Sequence, residues 1–187
     1  MNGLFVCAKL WHMKAMLIHG FEGSADSNWF PWLKSILLEK GYEVFNETFP
    51  NPSHPDFEEI MNFYRDEMKG VDLVVGHSMG AFIALKLSEE FDFSKLILVA
   101  PAVGELNYPY MEGQWPGSDL QALKKVISEN FKNSKLRADS KTAIFSQNDP
   151  YVPLTLMDLF SDDWELITLE GKNHFQDSSF LEILKYL

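Results

Sequence analysis

The sequence predicts an α/β domain built on a minimal, mostly parallel six-stranded sheet with helices on both faces. Three observations predict it. Short apolar runs alternate with segments whose apolar residues recur at helical spacing. Several of those runs are apolar at consecutive positions, as a strand covered on both faces must be. The length and balance also suit one domain: 187 residues, 46% apolar and 23% charged, with 11 Gly and 9 Pro.

The elements follow in order. Residues 15–19 form a buried strand, and 20–26 a loop with two glycines. Residues 29–40 are helical and stop at Gly41, a usual C-terminal signal. Residues 42–49 alternate apolar and polar, as a strand does, and 51–55 carry two prolines and form a loop. A helix over 56–69 closes at Gly70. Strand 71–75 leads into helix 81–90, and strand 96–100 ends at Pro101. The rest is helix 119–131, strand 142–146, helix 154–160, strand 165–169 and helix 178–187. Residues 13–187 make the single domain. Residues 1–12 are an N-terminal extension ahead of MKAMLIHG, which runs like a natural start straight into a strand.

Charge and cysteine count limit the partners. The net charge of −11 repels nucleic-acid phosphates and anionic membranes, so neither is expected as a partner. Cys7 is the sole cysteine, so no intramolecular disulfide or thiolate-rich zinc site can form, and a cytoplasmic location fits. No stretch approaches the length of a membrane span. The histidines show no metal-ligand spacing, and neither a metal nor another cofactor is expected. The expected partner is a small-molecule substrate, and the expected state a monomer or weak homo-oligomer.

In parallel sheets ligands sit at the carboxyl ends of the strands, so the chemistry belongs in the loops there. The loop after strand 71–75 is Gly76-His77-Ser78-Met79-Gly80, the G-x-S-x-G nucleophile elbow. A strand that turns directly into a helix strains the serine backbone and brings neighbouring turns close at 76 and 80, where only glycine fits. A serine hydroxyl needs a base, and the base needs orienting. On an α/β-hydrolase the chain order is Ser, then Asp or Glu, then His. His174 follows the last strand and fits that order; His77 is assigned to packing, and His12, His19 and His54 come too early. Asp149 follows strand 142–146 in a loop stiffened by prolines, and ranks above Asp162, Asp163 and Asp177. The oxyanion hole takes backbone N–H groups from Met79 and, after the first strand, from Phe21, with Glu22 as the alternative. Tyr108, Tyr110, Met111 and Trp115 lie in 101–118 and either wall the substrate pocket or cover the end of the sheet. Trp29 and Trp32 are expected as core anchors.

HGFEGSADSNWFPWLK at 19–34, GHSMG at 76–80, NDPYVP at 148–153 and GKNHF at 171–175 together resemble one small family. It is the compact serine hydrolase family typified by retinoblastoma-binding protein nine and its bacterial relatives, and the resemblance runs from residue 13 to 187. It implies an α/β-hydrolase core without a cap domain, and places the family's triad on Ser78, Asp149 and His174. The oxyanion donors then fall on Phe21 and Met79. Residues 1–12 have no counterpart in the family pattern. The L-x-C-x-E interaction motif is absent, since Ala8 and Lys9 follow Cys7, so no protein partner is transferred.

The expected activity is hydrolysis of an ester with a small uncharged or apolar acyl group, through an acyl-enzyme. No basic cluster lies in the site loops to hold an anion. An amidase, peptidase or thioesterase on the same triad, or a non-catalytic binding protein of the same fold, are the alternatives.

Overall fold

The computed structural model describes residues 13–115, 117–128 and 136–187. The proposed extension at 1–12 therefore lies outside the described residues. The sheet has six strands in the order β2-β1-β3-β4-β5-β6, and every neighbouring pair is parallel. The strands are β1 (Lys14–Ile18), β2 (Glu43–Phe45), β3 (Val71–His77), β4 (Phe93–Val99), β5 (Ala138–Ser146) and β6 (Glu165–Leu169). The order steps outward from β1 to β2 and then resumes on the other side at β3, so the loops after β1 and β3 meet above the sheet.

The core lies where the apolar runs predicted it. Residues 73–77 of β3 are buried without alternation, so both faces of the central strands are covered. Helix α3 (Met79–Glu90) follows β3 with no intervening loop and is buried along most of its length, packing on β1, β3 and β4. Helix α1 (Phe30–Glu39) buries Phe30, Leu33 and Leu37, one stripe at helical spacing. Helix α2 (Phe57–Arg65) starts at Asp56, whose carboxylate accepts from the Glu59 N–H at 3.1 Å and so satisfies an otherwise unpaired donor. A helical turn α4 (Tyr108–Met111) and helix α5 (Leu120–Ser128) precede β5. Among the described residues no cap domain is inserted, and no helix is long and apolar enough to cross a membrane.

Several boundaries differ from the sequence reading, each for a local reason. The strand expected over 42–49 is only β2. Beyond it Asn46 turns its side-chain amide to the Ala25 carbonyl at 2.9 Å, and the chain leaves the sheet edge. The helices expected over 154–160 and 178–187 are short 3₁₀ segments, Leu154–Leu159 and Leu181–Lys185. Their bonds run to the third residue back, as from Phe160 to Met157 and from Ile183 to Phe180. Segments this short gain too little from α-helical propagation. The turn α4 was not foreseen within 101–118. The last residues of the helix expected over 119–131 lie outside the described residues.

Candidate active site

Ser78 stands between β3 and α3 with φ 57° and ψ −122°, a strained conformation for a residue with a side chain. The two elbow glycines explain how it is held. A Cβ on Gly76 would lie 2.6 Å from the Ala81 Cα and 2.8 Å from the Ala81 N. One on Gly80 would run into the Ile18 and His19 carbonyls at the end of β1. The serine backbone is also tied down. Its N–H donates to the Val99 carbonyl at 2.9 Å, and its own carbonyl accepts from Ala102 at 3.1 Å. A Cβ on Gly20 would come within 2.9 Å of the Ser78 Cβ, so the loop after β1 passes directly beside the nucleophile.

The other two predicted side chains meet as expected. His174 Nδ1–H donates to Asp149 Oδ2 at 2.8 Å, and both side chains are buried, at 6% and 1% exposure. In the neutral imidazole, a proton on Nδ1 leaves Nε2 as the acceptor nitrogen. Asp149 Oδ1 accepts from the N–H groups of Tyr151 (2.9 Å) and Val152 (3.0 Å), which fix the carboxylate at the end of β5. The competing acids are elsewhere: Asp163 pairs with Lys141, and Asp177 lies beside Trp29 and Lys172. Ser78 and His174 line one cavity of about 120 Å³. No hydrogen bond joins Ser78 and His174 among the described residues. Serine has one side-chain torsion, and such contacts commonly tighten only around a bound substrate.

The oxyanion alternatives separate cleanly. The Glu22 N–H donates to the Pro52 carbonyl at 3.1 Å and is spent. No acceptor among the described residues takes the N–H of Phe21 or of Met79, the first residue of α3. Of the two candidates for the second donor, Phe21 is the one that is free.

Two further histidines hold this arrangement. His77 Nε2–H donates to the His174 carbonyl at 2.9 Å, and the two rings pack 4.8 Å apart. Burial keeps its pKa well below the usual value, helped by the neighbouring His174, although the bond to that carbonyl opposes the shift. The role is therefore more than packing. Trp29, expected only as a core anchor, donates its indole N–H to the Phe175 carbonyl at 3.0 Å. His19 donates from Nδ1 to the Gly20 carbonyl at 2.9 Å and accepts the Phe49 N–H on Nε2 at 3.2 Å, while stacking on the Phe49 ring. Burial lowers its pKa to about 4, against a smaller opposite effect of the Gly20 bond, so the ring is neutral at pH 7. Asn148 bridges the acid and base loops: its Oδ1 accepts from the Asn173 N–H and from Ser146, and its amide donates to Asn173 at 2.7 Å.

The expected aromatic wall is only partly present. Trp115 lines the cavity, edge-on to Phe21 and against Tyr151 at 4.8 Å. Tyr151, not foreseen, stands perpendicular to the His174 ring at 4.8 Å. Met111 also lines the cavity. Tyr110 is set back, 45% exposed and packed on the outside of Tyr151. Tyr108 belongs to a separate groove, under the Lys124 ammonium at 4.2 Å, because α4 turns it away from Ser78. No group of His, Cys, Asp and Glu that could hold a metal occurs among the described residues.

Comparison with known proteins supplies the family and the fold. The chain is 27% identical over 179 residues to YdeN of Bacillus subtilis, covering 89% of this chain and 88% of that protein. It is 23% identical to the serine hydrolase RBBP9 of Rattus norvegicus, covering 92% of each. The crystal structure of YdeN superposes with a TM-score of 0.75 at 24% identity, over 92% of this chain and 95% of that one. Est1E of Butyrivibrio proteoclasticus superposes at 0.68 and 20% identity, over 92% and 84%. The fold is that of the α/β-hydrolases. A serine hydrolase family model matches residues 15–183, and the chain belongs to that family.

Proposed function

We propose that the protein is a carboxylic ester hydrolase working through an acyl-enzyme. One observation carries the reading. A serine on a strained elbow shares a cavity with a histidine whose far nitrogen is held by a buried aspartate. Ser78 Oγ attacks the ester carbonyl while His174 Nε2 takes its proton. Asp149 keeps the imidazole in the tautomer that can accept that proton and stabilises the imidazolium that forms. The N–H groups of Phe21 and Met79 receive the charge that develops on the carbonyl oxygen. His174 then returns the proton to the departing alcohol, and water repeats the sequence to free the acid.

The acyl group is small and uncharged or apolar. A cavity of about 120 Å³ has room for a short chain only. Its aromatic side, Phe21, Trp115 and Tyr151, suits a short apolar chain. No Lys or Arg lines it among the described residues, which disfavours an anionic acid.

The test is fluorophosphonate labelling of the native protein and of Ser78→Ala, followed by a panel of esters, thioesters and aminoacyl amides. Labelling at Ser78 and preference for esters are expected. A native protein that stays unlabelled while a control esterase reacts refutes the proposal. That result would favour a non-catalytic binding protein, the one reading to which the missing Ser78–His174 hydrogen bond lends support.

A further inference from the structure

Among the described residues that line the cavity, Glu22 is the one that carries a carboxylate, and no cationic residue pairs with it. It directly follows Phe21, whose N–H faces the developing oxyanion in the proposed reaction. Its backbone is left-handed, φ 58°, a conformation that suits glycine and costs a glutamate free energy. The Pro52 carbonyl holds that backbone in place. The carboxylate accepts from the Ser53 hydroxyl at 2.8 Å and from the Ser118 hydroxyl. These two bonds occupy about half of the acceptor positions a carboxylate offers. Both partners are neutral, so the negative charge is oriented but not cancelled. Of the histidines that line the cavity with it, burial holds His19 and His77 neutral at pH 7.

We propose that Glu22 selects esters that carry a positive charge on the alcohol side, such as a substituted ammonium. The proposal rests on the ester-hydrolase reading and adds the charge of the substrate to it. A tether between loops would be served as well by an amide, which bonds both hydroxyls without a charge. What a carboxylate adds at this position is attraction for a cation and repulsion of an anion. The acyl group remains small and apolar against Trp115 and Tyr151, and the charge sits on the group that departs.

The experiment uses two phosphonothiolates of equal shape, one with a trimethylammonioethyl thiolate leaving group and one with its neutral dimethylbutyl counterpart. In both, the Ser78 Oγ–P bond forms and the P–S bond breaks, and the serine proton passes through His174 to the departing sulfur. The readout is the ratio of the two labelling rates within each protein, divided by the ratio of the same two probes' rates with hydroxide in solution, so that both a general loss of reactivity and the better leaving ability of the more acidic ammonio thiol cancel. The ratio in the native protein should favour the charged probe by about fivefold, the scale of a partly exposed ion pair. It should fall to about one in Glu22→Gln, and should shrink in the native protein as salt is raised. A native ratio near one, or a ratio unchanged in Glu22→Gln, overturns the proposal. Equal slowing of both probes in Glu22→Gln with the ratio kept would mark Glu22 as a tether and overturns it likewise. A plain fluorophosphonate run alongside separates the two levels. If it labels Ser78 while the ratio is one, only the charge proposal falls; if it does not label, the hydrolase reading falls and takes the charge proposal with it.

Discussion

Replacing Gly80 with alanine tests whether close packing at the elbow, rather than the serine alone, makes the site. The added Cβ would lie 2.7 Å from the Ile18 carbonyl carbon and would press on the Ile18 and His19 carbonyl oxygens. Ordinary contact begins at 3.4 Å, so β1 and α3 must separate by 0.7 Å or more. All of the obstructing atoms are backbone, and no flexible side chain can yield. Overfilling of this kind typically costs roughly 1–3 kcal/mol of stability. The activity loss should be larger in proportion, because the loop carrying Phe21 starts at the residues that must move. A misplacement of about 1 Å at a reacting centre can cost about a hundredfold, so a fall of tenfold to a hundredfold in the fluorophosphonate labelling rate is expected. Gly41→Ala is the matched control. Gly41 sits at φ 87° with nothing within 4 Å, so the substitution costs roughly 1 kcal/mol of backbone strain and leaves labelling alone. Urea unfolding and labelling rates on both variants give the comparison. A Gly80→Ala protein with native stability and native labelling would refute the steric account of the elbow.

Other substitutions test the groups around it. Asp149→Asn keeps the two backbone bonds on one side of the carboxamide but turns an N–H toward His174. The imidazole then adopts the opposite tautomer, and turnover should drop on the order of 10⁴-fold with little change in melting temperature. His77→Phe strands the His174 carbonyl and should cost about 1–3 kcal/mol in denaturant unfolding, while His77→Gln, which can replace the N–H, should recover part of it. His19 adds a pH dependence. Its folded pKa, about 4, lies below its ordinary value of 6.5, so the unfolded chain binds the extra proton. Stability should therefore be full above about pH 6.5 and fall as pH drops toward 4, by on the order of 3 kcal/mol from this group. Unfolding curves across that range should show a smaller loss in His19→Gln, and an equal loss would contradict the assignment.

How far the sequence could be read depended on which atoms do the work. Ser78, Asp149 and His174 would act through side chains in the proposed reaction, and each follows a strand, so residue type and position single them out as candidates. The elbow glycines were legible for the same reason, since only the absence of a side chain satisfies a close approach. Phe21 and Glu22 could not be told apart, because an oxyanion donor is a backbone N–H and any residue has one. The Pro52 carbonyl takes the N–H of Glu22, across thirty positions of chain that no local pattern connects. His19, His77 and Trp29 were placed near the site or in the core. Their hydrogen bonds to the Gly20, His174 and Phe175 carbonyls are backbone contacts again, and leave no mark in spacing. Tyr108 went the other way: it is an aromatic in the right loop, turned toward Lys124 by a four-residue helical turn too short to carry a periodic signal.

The residues with left-handed backbone show what that hidden layer accomplishes. Among the described residues they include Glu22, Asn28, Ser78, Ala100, Asn173 and Phe175, outside glycine. Glu22 and Asn28 lie in the loop after β1, Ser78 follows β3, Ala100 follows β4, and Asn173 and Phe175 flank His174 after β6. All of these loops leave the carboxyl edge of the same sheet. Glutamate, alanine and phenylalanine are poor choices for such conformations, so nothing in their identity announces them. Five of these six are held by long-range bonds: Glu22 by Pro52, Ser78 by Val99, Ala100 by Ile144, Asn173 by Asn148, and Phe175 by the Trp29 indole. A loop free to relax would abandon these angles and carry the serine, the histidine and the Phe21 N–H with it. The sheet and its anchoring bonds supply the free energy that keeps them, and the strain marks where rigidity is spent on chemistry. Loosening one anchor, as His77→Phe does for the His174 loop, should thus impair labelling of Ser78 more than its modest cost in stability would suggest.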